Sequence, residues 1–126
     1  MGRLVVEGEE LVVRLSPLER LAAVRGDVRV PLCAVQEVDV EPRPWRALRG
    51  VRAPGTGLPG VIAYGVRRLT GGRPDFAAVL GRGPAVRVEL ASPSPFARLL
   101  LSLPDPDAAV AAVRAAASVG APDPLR

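Results

Sequence analysis

Histidine, lysine and asparagine are absent from this 126-residue chain, and cysteine occurs once, at Cys33. Each absence removes a chemistry. Without histidine neither a Ser-His-Asp nor a Cys-His relay can be assembled, and one cysteine supports neither an ordinary zinc site nor an intramolecular disulfide. Without lysine there is no Schiff base and no P-loop lysine. The glycines of "APGTGLPG" (53–60) therefore read as turn chemistry, not as a nucleotide cradle. Aromatic residues make up only 3%, which leaves too few ring faces to stack the bases of a single-stranded nucleic acid. No apolar run approaches the ~20 residues of a membrane-spanning helix, and "MGRLVVEGEE" lacks the basic start and unbroken apolar stretch of a secretory signal. A cytoplasmic location, no cofactor and no metal are the resulting expectations.

What is present fits one folded domain over 1–126. Hydrophobic residues are 48% of the chain, enough to build a core from Val, Leu and Ala. All 17 basic residues are arginine, and Ala, Val, Pro and Gly abound, the bias of a GC-rich bacterial genome of actinobacterial type. A net charge of +4 is modest for this length, so its location says more than its size. The stretch "PRPWRALRGVRAPGTGLPG" (42–60) holds four arginines and no acid, and the 13 arginines elsewhere are balanced by 13 acids. The whole net charge sits in one segment.

Periodicity and turn chemistry predict the elements. "RLVVEGEELVVRL" reads as two strands joined at Gly8. "SPLERLAAVRG" carries a capping box, Ser16 with Glu19, and Pro17 at the first helical position, which predicts a short helix near 17–24. "DVRVPLCAVQEVDVE" resumes extended structure, with Val38 and Val40 alternating against a solvated acidic stripe of Glu37, Asp39 and Glu41. After a long Arg/Pro/Gly loop over 42–60, strands follow at "GVIAYGVRRL", "DFAAVL", "AVRVEL" and "FARLLLSL", about seven in all. Asp105 as N-cap and Pro106 open a C-terminal helix near 106–117, whose apolar edge (Ala109, Val110, Val113, Ala117) would cover an open end of the sheets. A flexible tail over 119–126 would complete the chain.

A mainly β chain of about seven strands closed by one C-terminal helix resembles the small bacterial pleckstrin-homology-like (PH-like) domains. The segment "VRVPLCAVQEVDVE" carries the likeness, through Val30, Pro31, Val35 and Val38. The resemblance implies an antiparallel sandwich or barrel acting as a non-enzymatic binding module. Phosphoinositide-binding members take the headgroup with basic residues in the first hairpin loop. That loop here is "EGEE", which repels an anion, so that site does not carry over.

Few residues offer chemistry of their own. Glu37, Asp39 and Glu41 lie on a solvated face, and Asp105 and Asp107 are explained by helix capping, so no catalytic carboxylate pair is expected. Cys33 reads as a small buried hydrophobe. The candidate binding residues are Arg43, Trp45, Arg46, Arg49 and Arg52. Guanidiniums three residues apart share a face of a three-residue-per-turn segment, and each has planar donors suited to phosphate or carboxylate. Two alternatives stand. Either these arginines fold back onto the acidic stripe while Trp45 plugs the barrel mouth, or they hold an anion or a partner. The expected function is accordingly a module for protein–protein interaction, self-association included. Anion or membrane-surface binding through 43–52 is the alternative, and nucleic acid is not expected.

Overall fold

A computed structural model describes residues 2–23, 26–58, 60–68, 72–92 and 94–117, the side chains of residues 22 and 51–56 excepted. Strands β1 (Arg3–Glu7) and β2 (Glu10–Arg14) form the expected hairpin, and Gly8 takes the positive φ of 62° that its turn demands. Helix α1 (Pro17–Ala23) follows with its capping box formed. The Ser16 N–H donates to Glu19 Oε1 at 3.0 Å, and the Glu19 N–H donates to Ser16 Oγ at 3.2 Å.

The next extended stretch is broken by a 3₁₀ turn at Leu32–Ala34 into β3 (Val28–Pro31) and β4 (Val35–Glu41). The break lets the chain change sheets. β3 completes a three-stranded sheet β1-β2-β3, while β4 starts the edge of a six-stranded one. Cys33 lies in this turn and is exposed, contrary to the buried reading, because Ala34 is the residue of the turn that enters the core.

The segment 42–60, expected as a long loop, instead holds a short helix α2 (Pro44–Ala47) and a strand β5 (Val51–Leu58). Turn chemistry concealed β5, since "VRAPGTGL" contains a proline and two glycines. It is an edge strand, where a missing N–H costs no ladder bond, and its register with β6 (Ile62–Arg68) shifts between Arg52 and Gly55. With β7 (Asp75–Leu80), β8 (Ala85–Leu90) and β9 (Arg98–Leu101), the described residues form nine strands, not seven.

The second sheet runs β4-β8-β9-β7-β6-β5. Every pairing is antiparallel except β7 with β9, because β9 inserts between β7 and β8 and runs alongside β7 in the same direction. The two sheets stay separate, so the fold is a sandwich and not a closed barrel. One buried cluster joins them: Leu11, Val13, Val28 and Val30 of the small sheet meet Val38, Tyr64, Phe76, Val88 and Leu99 of the large one. Helix α3 (Pro106–Ala117) closes this core as expected. Val110 and Val113 are buried, Ala109 and Ala117 pack beside them, and Asp105 Oδ1 accepts the Ala108 N–H at 3.1 Å. The tail over 119–126 lies outside the described residues. No described helix is long and apolar enough to cross a membrane.

Candidate functional site

The strand registers collect three chain segments at one end of the six-stranded sheet. Glu41 at the end of β4 pairs with Ala85 at the start of β8, Leu80 at the end of β7 pairs with Ile62 at the start of β6, and Ile62 pairs in turn with Leu58. The stretches around 42–46, 58–62 and 80–85 are therefore neighbours. Between them lies an open cleft of about 400 Å³, lined by Pro42, Arg43, Pro44, Trp45, Arg46, Gly60 and Arg82.

Local interactions fix its walls. Pro44 opens α2, where its missing donor is not needed, and the Arg46 N–H closes the turn on the Arg43 carbonyl at 3.0 Å. Trp45 does not plug the mouth of a barrel. Its half-buried ring packs on the outer face of the large sheet, against a small cluster of Ala63, Ala77, Val79, Ala85 and Leu100. Its Nε1–H donates to the Gly81 carbonyl at 2.7 Å, which ties α2 to the turn between β7 and β8. Arg82 follows that carbonyl directly, and its guanidinium lies over Gly60, where the Cβ of any larger residue would stand 2.4 Å from a terminal nitrogen. Gly60 also has a φ of 77°, so its conformation favours glycine, while the exposed Arg82 side chain could swing aside for a larger residue.

The arginine run divides into separate roles. Arg49 is structural: its Nε and a terminal nitrogen donate to the two oxygens of the buried Asp75 at 2.6 and 3.1 Å. The Asp75 carboxylate raises the pKa of Arg49 above the ordinary arginine value. Arg67 donates to the carbonyls of Arg49 and Gly50, and Arg98 to that of Ala47, so three arginines clamp the segment that follows α2 onto the sheet. The side chain of Arg52 lies outside the described residues. Arg43 and Arg46 are exposed, and no described carboxylate pairs with either of them or with Arg82.

The fold-back onto the acidic stripe is not what the loop arginines do. Only the backbone N–H of Arg43 reaches it, donating to Glu41 Oε1 at 3.1 Å. The stripe is neutralised from elsewhere. Arg87 on β8 stands 3.1 Å from Glu37, 3.7 Å from Glu41 and 3.9 Å from Asp39, and Arg114 of α3 holds Asp39 at 2.7 Å. Sequence reasoning missed Arg82 because it sits outside 42–60, among arginines that balance in number against acids. No local signal marks it, and only the return of the chain beside Gly60 brings it to the cleft.

The arrangement can receive an anion. Three arginines border a recess with no acid among its described lining residues, where proline and tryptophan also line the wall. No group of His, Cys, Asp or Glu suited to a metal occurs among the described residues. Comparison with protein-family models, curated proteins and solved structures finds no match to this chain.

Proposed function

We propose that this protein is a non-enzymatic binding module of PH-like organisation that receives an anionic group of its partner between Arg43, Arg46 and Arg82. The hairpin, the second sheet and the closing helix α3 support the PH-like reading, and the parallel pairing of β7 with β9 is a departure from it. One observation carries the functional reading: the three arginines share a cleft with no acid among its described lining residues, while the arginines on the adjacent face of the sheet are matched to carboxylates. Mutual repulsion of like charges at one end costs stability, and an incoming anion would relieve it.

Heparin titration at two salt concentrations, followed through the single tryptophan, Trp45, tests this reading. Affinity should fall steeply with salt, and Arg43→Ala with Arg46→Ala should lower the slope of log affinity against log salt by about 2, roughly one unit per lost contact. Arg82→Ala should lower it by about 1. Salt-independent binding, or none, would sink the proposal.

A further inference from the structure

Three of the six large hydrophobic residues exposed among the described residues surround the hairpin tip beside the arginine cleft. Leu58, Val61 and Leu80 are 56%, 50% and 43% exposed. Leu58 and Leu80 flank Ile62 in register on either side, and the Gly81 N–H donates to the Val61 carbonyl at 2.7 Å, so these three surround one tip. Gly60 and Arg82 of the cleft are close chain neighbours of this tip. Leu18 and Leu21, each about three-quarters exposed, stand on α1, which packs against β5 and β6 of that hairpin and is tied to it by the Tyr64 hydroxyl donating to Glu19 at 2.9 Å. Aliphatic side chains held in water at a hairpin tip contribute nothing to the core, and their clustering marks a contact surface.

We infer that this end of the protein seats on an anionic lipid surface, with Leu58, Val61 and Leu80 entering the boundary between headgroups and acyl chains while Arg43, Arg46 and Arg82 hold lipid phosphates. The inference rests on the anion-binding reading of the cleft and names the bearer of the anion. Charge complementarity selects this occupant. An anionic bilayer offers a dense negative layer and, within about 5–10 Å beneath it, an apolar one, matching arginines set beside an aliphatic tip. An acidic protein surface sets its apolar groups beside its charges, not in a continuous layer beneath them. A second copy of this chain docked tip to tip would bring together two sets of three guanidiniums that have no carboxylate partner among the described residues. Of the three acids in its first hairpin, Glu7 is held by Arg14 and Arg29 and Glu10 by Arg29, which leaves Glu9 alone against three guanidiniums.

Cosedimentation with vesicles of phosphatidylcholine, with and without phosphatidylserine, tests the inference beside heparin binding on the same samples. Wild type should bind the phosphatidylserine vesicles and not the neutral ones, with affinity falling as salt rises. Leu58→Ser with Val61→Ser should lower vesicle affinity roughly tenfold or more and leave heparin affinity unchanged. Should that variant fold poorly, Val61→Asp alone, at a half-exposed turn position, should do the same. Arg43→Ala with Arg46→Ala should weaken both ligands. Heparin binding without vesicle binding, or vesicle binding untouched by the tip variants, overturns the lipid inference and leaves the cleft reading standing. Binding of neither overturns both. Self-association that rises with concentration and disappears in the tip variants, without vesicle binding, identifies the tip as a contact between copies and likewise overturns it.

Discussion

The outer face of β4, β8 and β9 and the end of the same sheet that holds the cleft carry the same side chain in opposite circumstances. On the face, Arg87 lies within 3.9 Å of four carboxylates, Glu37, Asp39, Glu41 and Glu89, and Arg98 shares Glu89. At the end, Arg43, Arg46 and Arg82 have no carboxylate partner among the described residues. A matched surface arginine contributes at most about 1 kcal/mol per pair, and an unmatched one contributes repulsion from its neighbours. The meaning of an arginine therefore lies in what faces it, and a charge count alone cannot supply that.

The comparison can be broken most forcefully through the helix that anchors the acidic face. Truncation after Leu103 removes Arg114 from Asp39 and uncovers the pocket of Val110 and Val113, each worth about 1.5–3 kcal/mol when buried. The expected outcome is unfolding or aggregation, read by chemical denaturation, and a stable, soluble truncated chain would contradict the role given to α3. Next in size is Arg49→Ala, which strands the buried Asp75 carboxylate and should cost about 2 kcal/mol in the same measurement, below the range for fully buried pairs because Arg49 is partly in water. Arg46→Ala, three residues away, should change stability by less than ~0.5 kcal/mol while weakening heparin binding. Equal effects of the two substitutions would erase the distinction between clamp and site.

A smaller effect sets the cleft apart from the first helix and its surroundings by pH. Burial pushes the Glu19 carboxyl upward, but hydrogen bonds from the Ser16 N–H and the Tyr64 hydroxyl outweigh it and hold the group below its ordinary value of 4.5. A carboxyl depressed on folding stabilises the protein above its unfolded pKa and loses that contribution as pH falls through the folded pKa. Asp27, lowered mainly by the Leu15 N–H, acts in the same sense. The thermal midpoint should therefore drop once the pH falls below about 4.5, and Glu19→Gln should flatten part of that slope. Arginine is the one ionisable residue type among the described residues lining the cleft, so heparin affinity should stay level across the neutral range.

Much of the scaffold is readable from local chemistry. The capping box at Ser16 and Glu19, the turn at Gly8 and the helix Pro106–Ala117 all follow from rules confined to a few neighbouring residues, and each is formed as read. The parts that escape depend on distant partners. β5 is a strand only because β6 templates it, and "VRAPGTGL" by itself carries the composition of a loop. The run 43–52 was legible as a concentration of charge. That Arg49 would leave it for Asp75, 26 residues away, and that Arg82 would join it from another turn, are consequences of strand order.

The insertion of β9 has a consequence for how the chain is made. Four residues, Arg98–Leu101, form the central seam between β4–β8 on one side and β5–β6–β7 on the other. During synthesis from the N-terminus both half-sheets emerge before their seam, each with an open edge facing the gap. Until residue 101 has left the ribosome the large sheet cannot be completed, and the exposed flanks of β7 and β8 can pair with whatever strand arrives first. Slow insertion of β9 therefore leaves two unsatisfied strand edges, and refolding from denaturant should lose yield as protein concentration rises.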